Sequence, residues 1–286
     1  MTRTRAAWIR WGADRLARAG VEAPRREAEA LLAFVLAGPR HAWHLDPDSA
    51  LTPAQAERMD DAVGRRARRV PPQYLTGSET FCGLEIGVTS EVLIPRPETE
   101  GVVTAATRVM TWWNRPTVVA DVGTGSGCIA LALAAACPTA VVYATDCSTA
   151  ALHVAAANAG RLGLADRVRF LAGDLLEPLA ALDVRFDLIV SNPPYVADHE
   201  FADLQPEVRH EPSLALRGGV DGLDFYRRIF AEAARVLAPG GAVVVEVGFG
   251  QAAAVCDLAA RAGYPVDRVD EDFSGIPRVI TTRARG

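Results

Sequence analysis

The chain has 286 residues, enough for two units of ordinary domain size, roughly 100–200 residues each. Half of the residues are hydrophobic and 23% are charged, a balance that points to a globular chain rather than a disordered one. A net charge of −5 argues against a protein that coats nucleic acid non-specifically. No apolar run approaches the ~20 residues of a membrane span, and no long apolar stretch follows the basic start Met1-Thr2-Arg3-Thr4-Arg5, so no secretory signal is expected. The five cysteines, Cys82, Cys128, Cys137, Cys147 and Cys256, are odd in number and lack a CxxC spacing. They read as reduced thiols of a cytoplasmic protein. His41 and His44 could share a helix face, but without further ligands nearby no metal site is expected.

Residues 1 to about 70 read as helices. Trp8, Trp11, Leu16 and Ala19 form one apolar face. Pro24 suits a helix start, with Ala28, Leu31, Leu32 and Val35 as a second stripe. Thr52-Pro53-Ala54-Gln55 has the capping-box pattern. The helix it opens ends in Arg65-Arg66-Ala67-Arg68-Arg69, either a solvated helix end favoured by the macrodipole or a docking surface for an acidic or RNA-bound partner. Pro71-Pro72 marks a boundary. Gln73 to Gly77 then lead to Leu84, Ile86 and Val88 in alternation, a short hairpin. The reading is a helical accessory domain over 1–72, a hairpin linker over 73–96 and a catalytic domain over 97–286. In Leu93-Ile94-Pro95-Arg96-Pro97-Glu98-Thr99-Glu100, Pro97 opens a helix. The flanking prolines hold Arg96 in extended backbone, either free for a ligand or paired with Glu98 or Glu100.

The catalytic core begins with strand Thr117–Val122, which contains Asp121. Gly123-Thr124-Gly125-Ser126-Gly127 follows and opens a helix from Cys128. Glycines let backbone approach a ligand, and the first N–H groups of a helix are free to donate. The spacing is G-x-G-x-G, with Cys128 where the nicotinamide fingerprint G-x-G-x-x-G needs its third glycine. That favours S-adenosylmethionine, which has no pyrophosphate. Strand Val141–Ala144 leads to Asp146, suited to accept both ribose hydroxyls, and Ser148 caps the next helix. Strand Val168–Leu171 leads to Gly173-Asp174, suited to the adenine edge. Four strands in βαβ order thus each deliver a polar group at their carboxyl ends, where open α/β sheets bind ligands.

The fourth of these strands, Phe186–Val190, runs into Ser191-Asn192-Pro193-Pro194-Tyr195. The prolines stop the strand and fix their own φ angles; Pro193 also pushes Asn192 out of helical geometry. The stiff turn offers a side-chain carbonyl, free backbone carbonyls and an aromatic face. That is a receptor for an NH2 group on sp2 carbon. Residues 196–222 lose periodicity, and a loop of this length is usually functional. A helix from Leu223 to Leu237, a turn at Pro239-Gly240-Gly241, strand Ala242–Val247, a helix through Val255 and Leu258, and strands near 266–269 and 278–282 complete the chain. Pro277 suggests an edge strand.

Several segments together resemble the PrmC/HemK family of protein-(glutamine-N5) methyltransferases. They are Pro72–Gly77, Ile94–Glu100, Asp121–Gly127, Asn192–Tyr195, Glu207-Val208-Arg209 and Glu211-Pro212. The resemblance implies a class I S-adenosylmethionine-dependent methyltransferase: an α/β, Rossmann-like, seven-stranded, mostly parallel sheet with one antiparallel strand in the last hairpin, behind a small N-terminal helical domain. It implies S-adenosylmethionine held by Asp121, Gly123, Thr124, Gly125, Ser126, Gly127, Asp146, Asp174, Leu175 and Asn192. Leu175 stands where some relatives carry an aromatic. The substrate implied is the Gln of the Gly-Gly-Gln loop of class I peptide chain release factors, held by Asn192, Pro193, Pro194, Tyr195 and Arg96 and acted on by a monomer. Asn192 Oδ1 and the Pro193 carbonyl would accept the two N–H bonds of the amide, with Tyr195 against its plane. No general base is evident. An amino-methyltransferase of RNA or DNA, a relative acting on another protein or a small molecule, and a non-catalytic binding module remain alternatives.

Overall fold

The computed structural model describes residues 3–39 and 42–284, residues 42 and 43 by backbone alone. The chain divides into two units: Met1–Ser78 with Gln205–His210, and Glu79–Leu204 with Glu211–Gly286. The first unit is helical, with α1 (Arg5–Arg18), α2 (Pro24–Leu36), α3 (Pro53–Ala67) and α4 (Pro72–Thr76). Helix α4 occupies the first residues of the segment read as a linker, and Gly77 ends it in the left-handed region at φ 85°. The expected stripes form the core. Trp8 and Leu16 of α1, Ala28, Leu31, Leu32 and Val35 of α2, and Met59 and Val63 of α3 are buried together. Trp11 is only partly buried and meets Trp8 edge to face, with ring centroids 5.0 Å apart. Ala19 is the C-cap of α1 rather than part of its face. The capping box is made in both directions, Gln55 N–H to Thr52 Oγ1 at 3.3 Å and Thr52 N–H to Gln55 Oε1 at 3.0 Å. His44 lies in a 3-10 turn, Ala42–Leu45; its expected partner His41 lies outside the described residues.

Two of the four arginines of the run, Arg66 and Arg69, are taken up by acids of the same unit rather than left to solvent, whereas Arg68 is exposed and Arg65 half-exposed. Arg66 is 4% exposed. It donates to Glu27 and, through Nη2, to Glu207 Oε1 at 2.8 Å. Arg69 donates to both oxygens of Glu207 at 2.7 Å. The partner is 138 residues away in sequence, so spacing alone could not pair them.

The second unit starts with a hairpin, β1 (Ser78–Phe81) and β2 (Leu84–Gly87), turned by Cys82 and Gly83, both at positive φ. Then come α5 (Glu100–Trp113), β3 (Val118–Val122), α6 (Cys128–Ala136), β4 (Val141–Asp146), α7 (Thr149–Arg161), β5 (Val168–Ala172), α8 (Glu177–Ala180), β6 (Phe186–Ser191), α9 (Asp224–Glu232), β7 (Leu237–Glu246), α10 (Ala252–Arg261), β8 (Val266–Glu271) and β9 (Pro277–Arg283). The sheet has seven strands in the order β5-β4-β3-β6-β7-β9-β8. Strands β3 to β7 pair parallel, and β9 is antiparallel to both neighbours. This is the class I methyltransferase architecture. Side chains alternate between two cores, as the two-residue strand period requires. Val119, Leu188, Val190 and Val244 pack with α5 and α6. Ala120, Val122, Ile189 and Val243 pack with Tyr226, Ile229 and Phe230 of α9 and Val255 of α10. Helices on both faces explain why β3 and β6 are apolar nearly throughout.

Four expectations shift. Pro97 opens a 3-10 turn, Pro97–Thr99, before α5 rather than the helix itself. The helix expected to reach Leu237 ends at Glu232, in a 3-10 turn at Ala233–Arg235. Pro239-Gly240-Gly241 does not precede β7 but bulges within it, because Phe186 pairs with Leu237 and Leu188 with Ala242. Strand β9 is interior and β8 is the edge; Pro277 is tolerated as the first residue of its strand, where the missing donor costs least.

Burial pushes the Glu207 carboxyl up, but the hydrogen bonds from Arg69 and then Arg66 prevail and bring it to about 2. A depressed carboxyl contributes stability that is present above its ordinary value of 4.5 and lost as pH falls toward 2. Glu207→Gln is expected to destabilise the helical unit by about 1–3 kcal/mol at pH 7. Melting followed by near-ultraviolet dichroism should show mutant and wild type converging as pH approaches 2, and parallel curves over that range would exclude the linkage.

Candidate active site at the carboxyl ends of the parallel strands

The glycine loop is shaped by its neighbours. Gly123, Gly125 and Gly127 have φ of 72°, 54° and 82°, a region that L side chains avoid. No atom lies within 4 Å of where a Cβ would stand on Gly123 or Gly125, so the loop presents bare backbone to open space. Gly127 caps α6, and a Cβ there would meet Ala155 at 3.0 Å. Gly123 and Thr124 donate to the Thr145 carbonyl at 2.9 Å, and Gly125 donates to Asp146 Oδ2 at 2.9 Å. Asp146 Oδ1 accepts from Ser148 N–H at 2.8 Å, and Ser148 caps α7 as expected. Each carboxylate oxygen of Asp146 keeps a further acceptor position for a diol.

Asp121 is fully buried. Its Oδ2 accepts from Thr124 Oγ1 at 2.6 Å and from Ala130 N–H at 3.1 Å. Oδ1 is buried without a partner among the described residues, as is the Ser126 hydroxyl. Burial pushes the Asp121 carboxyl up to about 7. An open glycine cradle, an acceptor pair at Asp146 and a buried acid with one unmatched oxygen fit a nucleoside that carries an amino-acid ammonium group, as S-adenosylmethionine does.

Asn192 follows β6 beside this loop, since Val122 pairs with Ser191. Asn192 Nδ2 donates to Thr99 Oγ1 at 3.0 Å, and no described group donates to Oδ1 or to the Pro193 carbonyl. The backbone of the turn is pinned where Gln251 Nε2 donates to the Tyr195 carbonyl at 2.8 Å. The Tyr195 ring packs partly against the core, and its hydroxyl lies 3.5 Å from Glu246 Oε1. Loop 196–222 is closed at its base by Val196 N–H to Leu216 O at 2.9 Å and Gly218 N–H to Val196 O at 2.8 Å, and carries three 3-10 turns between.

Arg96 does not pair with Glu98 or Glu100. It pairs with buried Glu211, whose other oxygen accepts Ile94 N–H at 3.1 Å; Glu100 instead accepts Cys82 N–H at 2.7 Å. Extended backbone at Arg96, with ψ 145°, separates it from both local acids. Asp174 is paired with Arg228 through Oδ2. Leu175, at φ 47°, turns its side chain into the core and accepts the Thr145 hydroxyl on its carbonyl at 2.9 Å.

Three residues assigned no role from the sequence complete the site: Thr99, Glu246 and Asn158. Asn158 Nδ2 donates to the carbonyls of Ser126 and Gly87, each at 2.9 Å, and its Oδ1 accepts Gly87 N–H at 2.8 Å. A lone carboxamide in an alanine-rich helix, and a lone acid ending the run Ala242–Val245, were the available signals. Losing the brace on the glycine loop should cost about 1.4 kcal/mol, or tenfold. Calorimetry is expected to show Asn158→Ala binding S-adenosylmethionine about tenfold more weakly; equal affinity would mean that the loop holds its shape without this side chain.

Residues 7–77 match the family model of the PrmC N-terminal domain, and residues 102–211 match that of the methyltransferase small domain. The release factor glutamine methyltransferase of Moorella thermoacetica is 48% identical over 274 residues, 95% of each chain. That of Geobacter sulfurreducens is 44% identical, over 96% of this chain and 94% of its own. The solved structure of a methyltransferase from Pyrococcus furiosus superposes with a TM-score of 0.53 over 78% of this chain and 99% of that one; at 18% identity this speaks for the fold alone. With identity of this order sustained across nearly its whole length, the chain belongs to the family of the release factor glutamine methyltransferases.

Proposed function

We propose that this protein methylates the side-chain amide nitrogen of glutamine in the Gly-Gly-Gln loop of class I peptide chain release factors, using S-adenosylmethionine, as a monomer in the cytoplasm. The observation that carries the reading is the Asn192 turn. Its side-chain amide is oriented by Thr99, and Oδ1 and the Pro193 carbonyl are left without donors. Two acceptors on consecutive residues, both without donors, suit the two N–H bonds of a primary carboxamide. The names of the close relatives support glutamine as the acceptor.

The backbone of Gly123 to Gly127, with Thr124 and Ser126, would hold the cofactor, Asp146 its ribose, Asp174 and the backbone of Leu175 its adenine, and Asp121 Oδ1 its ammonium. When bound, S-adenosylmethionine supplies an electrophilic methyl group on a sulfonium. Asn192 Oδ1 and the Pro193 carbonyl accept the N–H bonds of the glutamine. Amide resonance drains that nitrogen of electron density, and the two acceptors restore part of it while fixing its direction. The Tyr195 ring lies against the amide plane. Pro193 and Pro194 keep the receptor from relaxing around an empty site. The nitrogen becomes strongly acidic on methylation and yields its proton to water, so no general base is required. Arg96, locked by Glu211, stands near enough to act electrostatically on the Tyr195 hydroxyl, and it lines the substrate side. The helical unit is assigned to docking the release factor.

Removing one preorganised acceptor of this kind costs about 10²–10³ in rate. Asn192→Ala is expected to lose that factor in transfer of labelled methyl to a release factor at saturating S-adenosylmethionine. Mass analysis should place a single methyl on the glutamine of the Gly-Gly-Gln peptide. Label appearing only in RNA or DNA would reject the reading.

A further inference from the structure

Two short turns are seated on Tyr195. The first follows β7. Gln251 N–H donates to the Gly248 carbonyl at 3.2 Å, which closes a β-turn over residues 248–251, and Gly250 supplies the positive φ, 77°, that the third residue of a type II turn needs. The Gln251 side chain fastens this turn twice. Its Oε1 accepts Gly248 N–H at 3.0 Å, and its Nε2 donates to the Tyr195 carbonyl at 2.8 Å. A Cβ on Gly248 would stand 2.9 Å from Tyr195 Cδ2, so the backbone of the turn lies against the ring itself. The second turn ends loop 196–222, where Gly222 N–H donates to the Gly219 carbonyl at 3.4 Å. A Cβ on Gly218 would stand 2.8 Å from Tyr195 Cα, and one on Gly222 would collide with the Tyr195 carbonyl oxygen.

Each turn carries an apolar side chain at its second position and leaves it in solvent. Phe249 is 78% exposed and Val220 80%. Exposed apolar residues scattered singly are ordinary. These two stand on hydrogen-bonded turns that pack on one and the same residue, the tyrosine of the Asn192 turn. That turn takes the end of a glutamine side chain, so the main chain carrying the glutamine must run over whatever borders Tyr195. Neither Phe249 nor Val220 offers a donor, an acceptor or a charge, and the chemistry they fit is apolar surface or bare peptide. We propose that Phe249 and Val220 form the rim on which the main chain beside the glutamine rests, with the Phe249 ring lying on the peptide planes of the two preceding glycines. Glycine brings no Cβ, so a ring can reach its backbone at van der Waals distance, whereas a side chain there would hold the ring off. Glycine also loses the most conformational freedom when fixed in one shape, and a rim whose backbone is already locked adds little ordering cost of its own. The two are substrate-contacting specificity residues, and the assignment rests on the glutamine-methylating reading above.

Both side chains are exposed, so Phe249→Ala and Val220→Ser should melt with the wild type. In steady-state transfer of labelled methyl to a Gly-Gly-Gln peptide, Phe249→Ala is expected to raise KM about tenfold, the scale of a lost aromatic contact. Its kcat and S-adenosylmethionine affinity should stay unchanged, the pattern of binding lost equally from ground and transition states. Phe249→Tyr should restore the wild-type KM, and Val220→Ser should raise it by a smaller factor than Phe249→Ala. Wild-type enzyme should favour the Gly-Gly-Gln peptide over its Gly-Ala-Gln counterpart by about tenfold in kcat/KM, and Phe249→Ala should narrow that gap. Trp112→Ala, which removes an aromatic 62% exposed in the last turn of α5, should change neither value. An unchanged KM in Phe249→Ala, or an undiminished preference between the peptides, would each overturn the assignment. Failure of the substrate reading would show differently, as a wild-type enzyme that methylates neither peptide, and would take the rim with it.

Discussion

Val122 pairs with Ser191, and Ser191 pairs with Val245. This register brings the ends of three parallel strands level. Asn192 and Glu246 thereby follow level positions at the carboxyl end of the sheet, with Asp121 level with Val190 just before them, although more than 120 residues separate Asp121 from Glu246. The burial on both faces that makes these strands apolar also gives the polar groups at their ends a low dielectric, in which single hydrogen bonds decide orientation.

Two acids near the site differ from those elsewhere. Asp121 and Glu246 are buried, each keeps one oxygen unmatched, and burial pushes both up to about 7. An unmatched buried acceptor costs about 1–3 kcal/mol, a strain that structures keep where function requires it. Glu207 shows the opposite balance: two arginines outweigh its burial and hold it ionised. Its role is structural, as is that of Glu211, which locks Arg96 and the Ile94 backbone. Only three residues, Val208 to His210, separate these two acids in one loop, yet they serve different units.

The Asn192 turn is rigid because each of its freedoms is removed separately. Prolines fix two φ angles, Gln251 pins the Tyr195 carbonyl, and Thr99 fixes the carboxamide. The glycine loop is held in the same way by Asn158, Thr145 and Asp146. Apart from Gln251, the groups that hold the two sites are prolines, backbone and short side chains, which suits a reaction whose acceleration comes from placement rather than from a proton donor.

Much of this was legible in the chain itself. Local signals with a fixed period or geometry are self-contained: the apolar stripes of α1 to α3, the Thr52–Gln55 box, the glycines that need positive φ, the prolines after Asn192, and the polar residue ending each strand in βαβ order. They identified the fold class and the two loops where ligands belong. The tertiary structure alone decided the partners. Arg66 and Arg69 read as solvent-facing until Glu207 arrives from 138 residues away. Arg96 read as free for a ligand or paired with Glu98 or Glu100 until Glu211 took it, and the strand of Pro277 read as an edge until β8 covered it. Thr99 drew no role because nothing local marks its hydroxyl as the partner of the Asn192 carboxamide, 93 residues on. Periodicity and backbone preference act over a few residues, whereas an ion pair or a buried hydrogen bond between distant side chains depends on which elements pack and in what register, and that choice is made by the whole core.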